Sequence, residues 1–174
     1  MPDPQNRASS AEHNKAVCRR WIEAFNERDE KGEADARAAE FVAHAPASIE
    51  PAPLDANAWP EFLSVFLEGF PDLHLTVEDA VGDEDLVAQR ILFKGTHTGV
   101  FQGLPPTNRQ VTFSALEINR MVDGKVAEHW VQMDALGLLH QLGLRTVPGP
   151  RLLPGLLTHQ ATKLFSRPPR SSGA

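Results

Sequence analysis

Hydrophobic residues recur at two different periods along this chain, and the change falls near residue 72. Before it the spacing is helical. In residues 11–28, Val17, Trp21, Ala24 and Phe25 share one side, with Arg19, Arg20, Glu23 and Glu27 opposite. The alanine-rich residues 34–41 predict a second short helix, with Val42, Ala43 and His44 following before Pro46 stops it. Pro51, Pro53 and Pro60 make the next segment a loop. Residues 60–69 predict a third helix, with Phe62, Leu63, Phe66 and Leu67 on one face, Pro60 in the first turn and Gly69 at the end. After Phe70-Pro71-Asp72 the period becomes two: Leu73, Leu75 and Val77 alternate with His74, Thr76 and Glu78. Three further strands are predicted over residues 86–96, 110–121 and 126–133. Asp123-Gly124 marks a hairpin between the last two, because a tight turn of that hand needs positive φ. A short apolar helix, residues 136–142, ends the pattern, with Gly143 as its cap. Helices first and meandering strands afterwards predict an α+β fold, with the helices packed on one side of a curved sheet.

Composition adds bounds. The chain has 174 residues, 41% of them apolar, enough for one domain with a real core. We expect disorder over residues 1–10, one domain over 11–143, and a Pro- and Arg-containing extension over 144–174. Its apolar stretch 152–165 reads as a short helix lying on the body or on a partner. A net charge of −6 without any basic stripe argues against a nucleic-acid partner. The single cysteine, Cys18, excludes an intrachain disulfide framework and fits a reducing cytoplasm. No basic start followed by an apolar run suggests a signal peptide, and no stretch approaches the ~18 apolar residues of a membrane span.

The candidate chemistry centres on Asp134. It stands between the last strand and the last helix, where it is either the N-cap of that helix or a partly desolvated acid/base. Strand alternation puts Gln132 and Trp130 on the face of Asp134 and His129 on the other. Gln132 is then a candidate partner for a substrate carbonyl, and Trp130 a candidate pocket wall. Arg90 and Arg120 sit mid-strand, where each lies either on the outer face or in a polar pocket able to hold an enolate or carboxylate. His44 and His97 are further candidates for substrate contact, and His129 reads as a hydrogen-bonded structural residue or a contact. His13, His74, His140 and His159 have no partner spacing. No His-x-x-x-His or cysteine cluster indicates a metal, and no glycine loop before a helix indicates a nucleotide, so we expect no cofactor.

Two segments carry a resemblance. Residues 94–111, KGTHTGVFQGLPPTNRQV, resemble the Gly-Thr-His-x-Gly … Gly-x-Pro-Pro-Thr segment of the SnoaL-like polyketide cyclases. Residues 120–143, RMVDGKVAEHWVQMDALGLLHQLG, resemble that family's Asp-Gly-Lys-(aliphatic)-x-Glu-His-Trp-x-x-x-Asp run and its Leu-Leu-x-Gln-Leu-Gly ending. The opening helix and FVAHAP add a weaker match. The resemblance implies a cone: a curved mixed or antiparallel sheet closed by N-terminal helices around a pocket. It implies an intramolecular aldol closure of a hydrophobic polyketide-like substrate without metal or organic cofactor, with Asp134 as acid/base, in a homodimer. The family's His-containing pair upstream of that Asp falls here on Ile118-Asn119-Arg120, which has no His.

Two rival readings stand beside this one. The same pocket could open an epoxide, isomerise a double bond, direct a pericyclic closure or assist a hydroxylation. Alternatively, the cone is a non-catalytic binding or scaffold module.

Overall fold

The computed structural model describes residues 4–47 and 49–145, with side chains from Ser10 onward. Four helices and six strands follow one another among them: α1 (Pro4–Glu27), α2 (Glu30–Ala36), β1 (Arg37–His44), β2 (Leu54–Asp55), α3 (Ala58–Gly69), β3 (His74–Asp83), β4 (Leu86–Thr96), β5 (Gln110–Val122), β6 (Lys125–Met133) and α4 (Ala135–Leu142). The strands form one mixed sheet in the order β2-β1-β6-β5-β4-β3. Every neighbouring pair is antiparallel except β1 and β6, which run parallel. The expectation of an α+β fold with a curved mixed sheet and N-terminal helices holds; the sheet is unclosed.

The helix α1 starts at Pro4 rather than near Ala11. Its buried face is Val17, Cys18, Trp21, Ile22, Ala24 and Phe25, the stripe that the helical period marks. Two side chains fasten its end. Asn26 exchanges both amide groups with the backbone of Leu75, at 2.8 Å each, and so covers part of the edge strand β3. Arg28 adopts φ 59° and donates to the carbonyls of Phe25, Pro71 and Leu73.

The helix expected over residues 34–41 is corrected. Only its first part belongs to a helix, α2, whose N-cap Asp29 accepts from the Gly32 N–H. The alanines Ala38 and Ala39 lie in β1. Helix propensity is a weak preference, and here pairing of β1 with both β2 and β6 overrides it, burying Phe41 and Ala43. The predicted ends of α3, β4 and α4 agree with the structure to within about two residues, the usual latitude of such boundaries. Asp123 and Gly124 take φ 50° and 73°, the positive pair that the β5–β6 turn demands.

On β4 and β5 the odd positions are buried: Val87, Gln89, Ile91 and Phe93, then Val111, Phe113, Ala115, Glu117, Asn119 and Met121. Helices α1 and α3 pack on this inner face. One irregularity changes the parity of β6. Met121 pairs with Val126 but Arg120 pairs with Glu128, so Ala127 is an extra residue, a β-bulge. Val126 therefore faces inward, and so do His129 and Val131.

Candidate active site

The inner face, α1, α2 and α3 enclose a cavity of about 50 Å³. Trp21, Ile22 and Phe25 come from α1, Glu33 from α2, and Trp59, Phe62, Leu63 and Phe66 from α3. The sheet supplies Leu73, Leu75, Phe93, Glu117, His129, Val131 and Met133. The void has room for roughly one or two waters. It is smaller than the ~300–1,000 Å³ of pockets that hold drug-sized ligands. Phe62, Leu63, Met133 and Glu33 are half-buried and form its rim.

Glu117 and His129 are the polar groups at its floor. Glu117 is 5% exposed, and the Nε2 of Gln89 lies 3.5 Å from its Oε2. Burial pushes the Glu117 carboxyl up to about 7, with the Gln89 amide opposing the shift. His129 Nδ1 lies 2.7 Å from Asn119 Oδ1. An amide oxygen accepts only, so the imidazole donates through Nδ1–H and keeps a lone pair on Nε2. Burial, followed by the nearby His44, pushes His129 down to about 3, so it is neutral at ordinary pH. Burial also raises the Glu33 carboxyl. Cys18 lies behind this floor, its thiol pushed up to about 12 by burial and by Glu117, and is an inert packed side chain.

Of the residues singled out in the sequence, His129 alone lines the cavity. Asp134 is exposed, and its Oδ1 accepts from the Gly137 N–H at 2.8 Å. It caps α4, and the expectation of a desolvated carboxylate is corrected. Gln132 and Trp130 lie on the outer face, not in the pocket, because their strand neighbours His129 and Val131 point inward. Arg90 also faces outward, paired with Glu78 and with Asp79 at 2.6 Å. Arg120 pairs with Asp85 at 3.1 Å and with Glu128 at 3.6 Å, and lies over the Trp130 ring at 5.8 Å. His44 stacks on Trp130 at 5.5 Å and bonds Glu128 at 3.0 Å, in the same outer cluster. His97 is buried under Phe70 and Phe101. Its Nδ1 accepts from the Thr107 N–H, which fixes the loop before β5.

Gln89, Glu117 and Asn119 were the missed residues. Their signal was present: three polar residues at odd positions among Val87, Ile91, Val111, Phe113, Ala115 and Met121. Leu116 and Ile118 at even positions masked it, because both faces of β5 then read as apolar. Among the described residues no cluster of three His, Cys, Asp or Glu is placed to hold a metal ion, and no helix is long and apolar enough to cross a membrane.

The profile of the SnoaL-like polyketide cyclases matches residues 15–142. The chain belongs to this family. Among SnoaL-like relatives, the aklanonic acid methyl ester cyclase DauD of Streptomyces sp. (strain C5) is 28% identical over 135 residues, covering 73% of this chain and 80% of DauD. The nogalonic acid methyl ester cyclase of Streptomyces nogalater is 38% identical over 53 residues, which span 30% of this chain and 40% of that protein. Among solved structures, AclR of Streptomyces galilaeus, a hydroxylase by provisional assignment, is 31% identical with a TM-score of 0.73, covering 91% of this chain and 99% of AclR. IdmH of Streptomyces antibioticus, provisionally a polyketide cyclase, is 34% identical with a TM-score of 0.70, covering 75% of this chain and 99% of IdmH. These SnoaL-like relatives support an enzyme of the cyclase type.

Proposed function

We propose that this chain closes a ring in a polyketide-type substrate by acid–base chemistry in its inner cavity, with Glu117 as the proton carrier. The observation that carries this reading is the Glu117 carboxyl, buried at the cavity floor and raised to about 7, beside a neutral imidazole. A general base works best when its pKa lies near the operating pH. Glu117 as carboxylate takes a proton from a carbon flanked by carbonyls. The carbanion attacks a second carbonyl, a C–C bond forms, and the protonated Glu117 returns the proton to the new alkoxide. The step is redox-neutral, and the cavity supplies its whole proton inventory. Asp134 then serves the reaction only by anchoring α4.

The substrate is larger than the void, so its reacting part enters as the rim side chains Phe62, Leu63 and Met133 swing outward. The methyl esters of aklanonic and nogalonic acid, named for the relatives, are the first substrates to offer. The expected product has the mass of its substrate. Glu117→Gln abolishes its formation and Asp134→Asn, folded, retains it; the opposite pattern returns the acid/base role to Asp134.

The likeness to AclR favours a second reading, hydroxylation in the same cavity. A product heavier by one oxygen atom establishes it in place of closure. Homodimerisation fits the exposed Leu116, Ile118 and Val81 on the outer face; light scattering on Leu116→Lys, expected to be monomeric, tests it.

A further inference from the structure

We propose that Gln89 is the positioning residue of Glu117 and serves both of its protonation states: the amide N–H donates to the carboxylate, and after a half-turn of the amide its oxygen accepts from the carboxylic acid. The inference rests on the reading of Glu117 as the proton carrier and adds the group that orients it.

Gln89 and Glu117 stand directly opposite each other on β4 and β5. Both side chains point inward, 2% and 5% exposed. Residues paired in this way on one face of an antiparallel sheet are close enough to interact. Among the described residues, the contact of Gln89 Nε2 with Glu117 Oε2 is the one hydrogen bond that the carboxyl makes. It leaves Oε1 for a substrate. At 3.5 Å it is longer than the ~2.7–3.2 Å usual for N–H···O, so it holds the amide loosely. Among the described residues no cation lines the cavity beside Glu117. Glu33 of α2 is a second acid in the wall, with Arg28 and Arg37 acting on it from outside the lining. His129 of β6 is neutral, and Cys18 of α1 is an un-ionised thiol.

One atom of the pair is unsatisfied. Gln89 Oε1 is buried without a partner among the described residues, and a buried acceptor without a donor is costly. Five other buried side-chain atoms share that state: Nε1 of Trp21 and Trp59, Nε2 of His97 and His129, and Nδ2 of Asn119. None of these can trade places with a bonded atom. Turning an indole or imidazole ring brings a carbon, not a second nitrogen, to the unpaired position. Turning Asn119 sets its N–H against the N–H of His129. Turning Gln89 exchanges oxygen for nitrogen without such a clash, because the terminal amide torsion is two-fold and the two groups are alike in size. Either orientation leaves one amide atom unpaired, so the two cost alike, and the proton on Glu117 decides between them. A carboxylate only accepts and needs the N–H; a carboxylic acid has an O–H to donate and needs the oxygen. A cationic side chain in the place of Gln89 would favour the carboxylate alone. The amide instead supports the base before it takes the proton and the acid before it returns it, as a group that works in both directions requires.

The test follows the full chain by NMR across pH, without substrate. The Glu117 carboxyl is read by ¹³C and assigned with Glu117→Gln; the Gln89 side-chain NH₂ is assigned with Gln89→Met. The NH₂ signals are expected to move with the midpoint of Glu117, and their NOE contacts to change with it as nitrogen and oxygen trade places. In Glu117→Gln both should stay constant across that range. In Gln89→Met the Glu117 midpoint should rise by roughly one pH unit, since the charged form loses the stronger hydrogen bond. The acidic limb of kcat/KM for ring closure should move to higher pH with it, whereas a merely structural loss lowers turnover at every pH and leaves the limb in place. NH₂ protons that keep the same NOE contacts on both sides of the midpoint, or a Glu117 midpoint unmoved in Gln89→Met, overturn the inference. Should Gln89→Met fail to fold, Gln89→Glu supplies the assignment and the wild-type NOE contacts decide. A chain that shows the coupled titration but closes no ring keeps the inference and loses the cyclase reading.

Discussion

Asn119 Oδ1 lies 2.7 Å from Nδ1 of His129, and neither residue is more than 1% exposed. This bond decides which nitrogen of the imidazole carries the proton. Asn119→Asp replaces the amide oxygen with a carboxylate at the same distance. An opposite charge that close favours the imidazolium. The expected result is a rise of the His129 pKa from about 3 toward the ordinary histidine range, read by NMR titration of the ring. An unchanged titration would mean that Asn119 does not orient His129.

Glu117 and His129 give stability opposite slopes against pH. The folded Glu117 holds its proton up to about 7, against 4.5 unfolded, so its contribution is full below 4.5 and lost as pH rises to about 7. The folded His129 stays neutral down to about 3, against 6.5 unfolded, so its contribution is present above 6.5 and lost as pH falls to about 3. Between about 4.5 and 6.5 the two cancel. Glu117→Gln removes one slope. The stability of this variant relative to the wild type should rise from pH 4.5 to 7, by an amount on the order of 3 kcal/mol. Urea denaturation at a series of pH values measures it; a pH-independent difference would place the Glu117 carboxyl in water.

For turnover, Glu117→Gln should cost about 10²–10⁴-fold, the usual contribution of a positioned acid or base. Asp134→Ala should cost about 0.5–2 kcal/mol of stability, the value of an N-cap, with turnover per folded molecule near that of the wild type. Denaturant midpoints and initial rates on the same preparations separate the two effects.

Gly99 fits against the end of α3 with no room to spare. A Cβ built there would lie 1.8 Å from the Glu68 carbonyl oxygen, while the Gly99 N–H bonds the Gly69 carbonyl at 3.1 Å. Gly99→Ala must push the loop off the helix. The expected loss is about 1–3 kcal/mol, as for other overpacked sites, measured by denaturation. A silent substitution would show that the loop can move away freely.

The sheet and the helices were legible because burial imposes its period on the sequence. Val17, Trp21 and Phe25 mark one helix stripe, and Val87, Ile91 and Phe93 one strand face. The β1 segment was not legible, since alanines favour a helix and only its two partner strands make it extended. Around the last strand the limit was more local. The alternation that sets Trp130 and Gln132 opposite His129 holds, but which of the two faces turns inward does not follow from it. The bulge at Ala127 decides that, because it brings Val126 and His129, an odd step apart, to the same inner face. Nothing in Lys125-Val126-Ala127-Glu128 announces an extra residue, because a bulge is fixed by pairing across the sheet. Family likeness pointed to Asp134, and the cap geometry explains why an Asp suits that place without any chemistry.

Alternation within β4, β5 and β6 also bears on how such a protein can change over time. Glu117 and His129 lie one step from Ile118 and Trp130 along the chain, yet a whole sheet thickness separates their surroundings. Inner letters line the cavity; outer letters form surface ionic pairs such as Arg120–Glu128. A substitution on one face therefore leaves the surroundings of the other in place, and a single strand can change its cavity lining without altering its exterior.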